Sequence, residues 1–108
     1  MARPSLILES LPGPVSRAVA GTGENIRIAR QRRRETQAAL AARMMVSLPT
    51  LRKVERGDPS VSIAIYFTAL WALGLIQEVR GLAAPEKDVS ASLMELARLP
   101  KRVRHARK

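Results

Sequence analysis

The amino-acid sequence predicts an all-α protein with a single domain, and three observations lead to this prediction. Apolar residues recur at helical spacing through most of the chain. The aromatic residues are one Trp, one Tyr and one Phe, so a core has to be packed from small aliphatic side chains, as closely spaced helices allow. Two amphipathic segments, residues 37–44 and 47–56, are separated only by a tight turn, which predicts a helix-turn-helix.

The charge balance is strongly positive, because 19 Lys and Arg face 9 Asp and Glu and give a formal net charge of +10. Such a basic domain favours nucleic acid as its partner. A membrane partner is not expected, because no apolar run approaches the roughly 20 residues of a spanning helix. The chain has no cysteine, which excludes disulfides, thiolate zinc sites and a thiol nucleophile. We expect no cofactor and no metal, and a cytoplasmic location.

Prolines prevent a continuous helix over residues 1–14. Two interpretations stay open for this segment: a disordered tail, or an arm that pairs with a partner subunit through the apolar residues 6–8. A short helix is expected to begin at Pro14, until Gly21 and Gly23 weaken or interrupt it.

Residues 24–34 are predicted to form the first core helix, with Ile26, Ala29 and Arg33 near one face. In the helix-turn-helix that follows, a small-residue face on the first helix is expected to admit a close neighbour. That face is formed by Ala38, Leu40 and Ala41. In the second helix, Leu51 and Val54 are expected to point inward at i, i+3 spacing.

The longest apolar helix is predicted over residues 61–73, with Ser60 as its N-cap and Gly74 at its C-terminal end. A wide apolar stripe predicts that this helix lies at the centre of the core. Its expected face and flanks are Ile63, Phe67 and Leu70, widened by Tyr66, Leu73 and the edge of Trp71.

The remaining chain is predicted to form a short last core helix over residues 75–82, a linker over 83–88 and a helix over 89–99 that ends at Pro100. The cationic residues 101–108 are expected to be either a disordered tail that adds nonspecific phosphate attraction or a partner-binding segment. We therefore divide the chain into three parts. They are an N-terminal arm with a short helix (1–22), a helix-turn-helix domain (23–82) and a C-terminal extension with a basic tail (83–108).

Residues 23–75 resemble the Cro/CI-type helix-turn-helix family, also called XRE, of which phage repressors are members. The elements that carry the resemblance, in order, are Ile26-Arg27 with Arg30, Thr36-Gln37 with Leu40-Ala41, Val46-Ser47, Leu51, Val54-Glu55-Arg56-Gly57, Pro59-Ser60 and Ala72-Leu73-Gly74. The resemblance implies a five-helix lambda-repressor-like DNA-binding domain with N- and C-terminal extensions. Its second and third helices would form the helix-turn-helix.

The resemblance also implies site residues. Residues 47–56 would be the recognition helix, whose N-terminal residues reach base edges in the major groove. The expected base-reading residues are Ser47, Leu48, Pro49, Thr50 and Lys53. Gln37 matches a position that clamps a phosphate at a helix N-terminus, and the further phosphate candidates are Arg52, Arg56, Arg27 and Arg32. For each arginine, the alternative is a solvated charge.

Arg30 and Glu55 match a family pair that forms a partly buried salt bridge between the first and third helices. Three departures from the family pattern stand out. Met45 occupies a turn position where glycine with positive φ is common, Arg34-Glu35 replaces a common Gly-Leu, and Ala29 replaces a larger aliphatic residue.

Together these features predict a sequence-specific DNA-binding regulator, most simply a repressor that binds a pseudo-palindromic operator as a homodimer. The alternative is an antitoxin similar to the HipB-like proteins, which bind a kinase-type toxin and regulate their own operon. An enzyme is not expected, because the only histidine, His105, lies in the basic tail and no carboxylate pair shares a face. The dimer would use surplus apolar surface at Trp71, Leu75, Ile76 and residues 93–99, although Trp71 could also be buried within one subunit.

Overall fold

The computed structural model describes residues 10–100, and these residues are entirely helical or irregular, without a β-strand. The predicted all-α class is confirmed. The helices are α1 (Gly13–Arg32), α2 (Gln37–Met44), α3 (Leu48–Glu55), α4 (Ile63–Ala72), α5 (Gln77–Arg80) and α6 (Val89–Arg98), with a 3-10 turn at Pro85–Lys87 before α6. The predicted arm at residues 6–8 and the basic tail at 101–108 lie outside the described residues.

Helix α1 runs without a break through Gly21 and Gly23, which were expected to weaken or interrupt it, so the predicted interruption and the separate core helix over 24–34 are wrong. The helix also crosses residue 22, where the predicted arm was to end. Gly23 serves close packing instead, since a Cβ added there would lie 2.3 Å from the carbonyl oxygen of Val54. Gly57 is equally close to α1, because a Cβ on it would lie 2.4 Å from the Cα of Ala20. Packing of this kind offsets the roughly 1 kcal/mol that glycine costs inside a helix.

The ends of α2 and α3 are fixed by local hydrogen bonds. Thr36 caps α2 by accepting the amide N–H of Ala39 at 3.1 Å, and Ser47 caps α3 by accepting that of Thr50 at 3.2 Å. Between the helices, Met45 adopts a left-handed conformation with φ 60°. The predicted segments therefore match the structure, with Ser47 and Arg56 as the caps of α3.

A small core lies where α1, α2, α3 and α4 meet. Leu51 and Val54 point inward as predicted. Ala38 and Arg33 were expected on inward faces but are exposed. Met44, which was not predicted to lie inward, is buried. The buried apolar residues are Ile26, Ala29, Leu40, Ala41, Met44, Leu51, Val54, Tyr66, Ala69 and Leu73.

Helix α4 begins two residues later than predicted. The carboxylate of Asp58 accepts hydrogen bonds from the amide and the hydroxyl of Ser60, at 2.8 and 2.7 Å. The N-cap of α4 is therefore Ser62, whose hydroxyl accepts the amide of Ile65. The inward face of α4 also differs from the prediction. It is formed by Tyr66, Ala69 and Leu73, whereas Ile63 and Trp71 are exposed, and Phe67 and Leu70 are half-buried against the core.

After α4, Gly74 takes φ 78°, and the amide of Leu75 donates to the carbonyl of Leu70 at 2.7 Å. This arrangement ends the helix as predicted. The predicted last core helix over 75–82 is wrong in extent and in burial, because α5 has only four residues and none of them is buried. Helix α6 ends before Pro100, as expected from the sequence, and also contains no buried residue.

Candidate nucleic-acid interface

A buried ion pair joins α1 to the C-terminal end of α3. Arg30 donates from Nε to Oε2 of Glu55 at 2.6 Å and from Nη2 to Oε1 at 3.0 Å, and the two residues are 8% and 6% exposed. The third donor of Arg30, Nη1, reaches the carbonyl of Glu35 at 2.8 Å. The two-point contact with Glu55, together with the single bond to Glu35, fixes the orientation of the guanidinium and so of the C-terminal end of α3.

Gln37 belongs to the same network. Its Nε2 donates to Oε1 of Glu55 at 2.9 Å, so one amide hydrogen is used inside the protein. The amide group has a second hydrogen, and Gln37 is half-buried at the first position of α2. The residue expected to clamp a phosphate is thus held at the N-terminal end of α2 by the same carboxylate that binds Arg30. The sequence does not indicate this contact, because 18 residues separate the partners and no periodic pattern links them.

The five residues expected to read bases fall into two groups. Pro49 and Lys53 are exposed on the outer side of α3, while Leu48 and Thr50 are half-buried at its edges. Ser47 is exposed, but its Oγ lies 2.9 Å from Oγ1 of Thr50, so the two hydroxyl groups share one hydrogen bond. Lys53 is therefore the long polar side chain of this set that projects freely.

The residues expected to contact phosphates fall into a group with free side chains and one residue, Arg27, that is paired within the protein. Arg52 and Arg56 are exposed beside Lys53 on α3, and Arg32 is exposed at the end of α1. Within residues 10–100 these side chains form no hydrogen bond or salt bridge, so their charges are available to a ligand. Arg27 is engaged instead. It forms an ion pair with Glu24 and donates to Oε1 of Gln31 at 3.1 Å.

A second ion pair, which was not predicted from the sequence, links the helix-turn-helix to the α1–α2 loop. Arg43 donates to both carboxylate oxygens of Glu35 at 2.8 Å and to the carbonyl of Ala72 at 2.8 Å. It therefore joins α2, the α1–α2 loop and the end of α4. The hydrogen bonds from Arg43 hold the pKa of Glu35 below its ordinary value of 4.5. The loop itself carries Arg34 at φ 56°, at one of the positions where the sequence departs from the family pattern.

A similar local effect acts just beyond α3. Hydrogen bonds from Ser60 lower the pKa of Asp58. The backbone carbonyl of Asp58 accepts the phenol of Tyr66 at 2.8 Å, and burial raises the pKa of that phenol. The turn after α3 is thereby tied to α4, so both ends of the helix-turn-helix are anchored to the core.

Comparison of the chain with known protein families, curated proteins and solved structures found no match. In the part of the chain that the structure describes, no helix is long and apolar enough to cross a membrane. The same part contains no group of three or more His, Cys, Asp or Glu side chains that could hold a metal ion.

Proposed function

We propose that the protein is a sequence-specific DNA-binding transcriptional regulator with a lambda-repressor-like helix-turn-helix domain. The observation that carries this proposal is the combination found on α3. Its inner side is locked to α1 through Glu55 and Arg30, at 2.6 and 3.0 Å, while its outer side presents Arg52, Lys53 and Arg56. A rigid helix with exposed cations on its outer face is suited to enter the major groove.

The residues of this surface divide into candidates for phosphate contacts and candidates for base contacts. Phosphate contacts position a protein on DNA, whereas contacts to base edges give specificity. Arg52 and Arg56 lie toward the C-terminal end of α3 and suit the phosphates, and Gln37 at the start of α2 adds a neutral amide donor. Lys53 is the candidate for guanine, and Leu48 and Pro49 offer apolar contact, for example with a thymine methyl.

The regulator would act as a homodimer on a pseudo-palindromic operator, with half-sites about 34 Å apart on one face of the duplex. Occupying the operator is sufficient for repression. Repression by occlusion of the operator needs no further chemistry.

Selection of bound duplexes from a random DNA pool, followed by titration of the winning sequence at several salt concentrations, tests the proposal. We expect a consensus sequence to emerge and the affinity for it to fall steeply with salt. Arg52→Ala and Arg56→Ala should each lower affinity for all sequences and reduce the salt slope by about one. Arg98→Ala on α6 removes the same charge elsewhere and serves as the matched control. A flat salt dependence, or a pool without consensus, contradicts the proposal.

A second candidate function, that of an antitoxin, is favoured by apolar surface outside the helix-turn-helix. Trp71 is 60% exposed, and Leu93 and Leu96 are exposed on α6. A toxin partner similar to the kinase-type partners of HipB-like proteins would cover such residues. Expression of the chain together with the product of the adjacent gene tests this candidate. A stable complex with a kinase-like protein supports it, and the absence of such a gene product opposes it.

A further inference from the structure

An apolar groove lies between the N-terminal half of α1 and the start of α4. It has a volume of about 400 Å³. We call it the α1–α4 groove, and its main lining residues are Val15, Val19, Val61, Ile63, Phe67 and Leu82. Within residues 10–100 the groove is open to solvent, since Val15, Ile63 and Leu82 are exposed.

A second uncovered apolar surface lies on α6. Val89, Leu93 and Leu96 follow one another at i, i+4 and i+7, which places them on one side of the helix. We call these three residues the α6 stripe. All of them are exposed. A ten-residue helix is about 15 Å long, a length suited to a groove formed by two helices.

We propose that the α6 stripe of one copy of this chain packs into the α1–α4 groove of a second copy, and the reverse, in a two-fold symmetric dimer. This inference deepens the dimer part of the proposed function and specifies its interface. The two surfaces fit chemically, because apart from Thr22 the groove is lined by aliphatic and aromatic side chains, and no charged group lines it.

The connection between the two surfaces is short and hydrogen-bonded. Leu82 lines the groove and α6 begins at Val89. The connection is an ordered series of turns, with hydrogen bonds from the amide of Lys87 to the carbonyl of Ala84 at 2.9 Å and from Asp88 to Pro85 at 3.1 Å. Asp88 then caps α6 by accepting the amide of Ala91 at 3.0 Å. Val89, Leu93 and Leu96 nevertheless stay exposed, so α6 does not fill the groove of its own chain.

The length of the connection limits how the two copies can exchange their α6 helices. Seven residue steps from Leu82 to Val89 would span about 25 Å if fully extended, and the turns at residues 84–88 make the distance shorter. The grooves of the two copies therefore have to lie close together across the symmetry axis. Such an arrangement is isologous and closed, and it does not propagate into a filament.

If all six exposed side chains become fully buried, the area involved reaches the lower limit of stable interfaces. Burying one exposed aliphatic side chain removes on the order of 100 Å² from water. The three stripe residues and the three exposed groove residues, in each of two contacts, give roughly 1,200 Å², at the lower end of stable interfaces.

The proposed interface also leaves the N-terminal end of α3 free. The groove includes Pro59 and Val61, which follow the C-terminal end of α3. The residues expected to read bases begin at the opposite end of α3, with Ser47. A dimer joined at the grooves therefore keeps both recognition-helix N-termini exposed.

Cross-linking of single-cysteine variants tests the contact, since the natural chain has no cysteine. Ile63→Cys and Leu93→Cys change exposed residues, so both variants are expected to fold. Mixed in equal amounts and treated with a short bismaleimide, they should give a cross-linked dimer between the two different variants. Cross-linking of Leu93→Cys only to itself overturns the groove as the site, and no cross-linked dimer at all overturns the interface.

The double variant Ile63→Cys/Leu93→Cys separates exchange from folding back. When it is diluted into an excess of the natural chain, cross-links between copies should disappear, whereas cross-links within one chain would persist and contradict the proposal.

Sedimentation of the full chain without DNA gives an independent readout. Leu93→Gln/Leu96→Gln should shift the protein toward monomer by at least tenfold in dissociation constant. Met94→Gln removes an exposed apolar side chain that lies off the stripe, and it should leave the dimer intact. Equal effects of the two changes, or a natural chain that is monomeric at micromolar concentration, overturn the proposal. Because no DNA is present, failure here is distinguishable from failure of DNA binding, which the random-pool selection measures separately.

Discussion

Arg30 and Glu55 are 25 residues apart in sequence and form two hydrogen bonds with each other in the buried space between α1 and α3. Glu55 also accepts from Gln37, and Arg30 also donates to the carbonyl of Glu35. One buried carboxylate therefore connects α1, the start of α2 and the end of α3. The orientation of the helix-turn-helix therefore depends on the buried charges of Arg30 and Glu55.

Arg30→Ala should lower the free energy of unfolding by about 3–5 kcal/mol, because it leaves Glu55 buried without a counter-charge. Arg32→Ala removes the same side chain from an exposed position on α1 and should change stability by less than about 0.5 kcal/mol. Chemical denaturation of both variants, monitored by circular dichroism, checks this. Equal midpoints for the two variants would contradict the structural role of the pair.

Two glycines in α1 should respond to alanine in opposite directions. A Cβ at Gly21 meets nothing within 4 Å, so Gly21→Ala should stabilise the protein by about 1 kcal/mol through helix propensity. A Cβ at Gly23 would lie 2.3 Å from the carbonyl of Val54, so Gly23→Ala should destabilise it by about 1–3 kcal/mol. Thermal melting of the pair measures the sign directly. Stabilisation by both changes would show that α1 does not approach α3 this closely, and destabilisation by both would contradict the open space at Gly21.

Met45→Gly should stabilise the protein, because Met45 holds φ 60° and is 90% exposed, so little packing is lost. A left-handed conformation costs a non-glycine residue about 1–2 kcal/mol, part of which is offset by the greater chain entropy of glycine when unfolded. A net gain of about 0.5–1 kcal/mol is expected. Ala42→Gly, at an exposed position inside α2, is the control and should cost about 1 kcal/mol. Loss of stability in Met45→Gly would contradict the argument.

These residues show how far the sequence alone could predict the fold. The bounds of α2 and α3 and the turn at Met45 depend on neighbours within a few residues, and the predictions for them agree with the structure. The role of Gly23 depends on Val54, more than 30 residues away, so a rule based on helix propensity gave the wrong result.

The same distinction between local and distant partners applies to the candidate site. The Arg30–Glu55 pair was expected from the resemblance, but the Gln37–Glu55 and Arg43–Glu35 contacts have no sequence pattern that would indicate them. The predicted cap at Ser60 failed because Asp58, two residues before it, bonds both its amide and its hydroxyl. The predicted core helix over 75–82 failed because its apolar residues stay at the periphery of the core.

The pair of Glu35 and Arg43 should make stability depend on pH in the acid range. The pKa of Glu35 is lowered in the folded protein, so the unfolded chain binds more protons as the pH falls. The contribution is therefore complete above the ordinary value of about 4.5 and is lost as the pH falls through the lowered folded value. Denaturation midpoints of the natural chain and of Glu35→Gln, measured between pH 7 and pH 3, check this. The two curves should converge at low pH, and a constant separation would contradict the prediction.

Lys53 should determine a base, whereas its neighbour Arg52 should contact phosphate. Both are exposed, but Lys53 lies one turn after Pro49 on the outer side of α3, in line with the helix end that is expected to enter the groove. Lys53→Ala should relax the preference at one position of the selected operator and cost about 1–3 kcal/mol for the preferred base only. Arg52→Ala should instead weaken binding to all sequences alike. Competition binding with operators changed at single positions distinguishes the two roles, since uniform loss in Lys53→Ala would assign Lys53 to the phosphates.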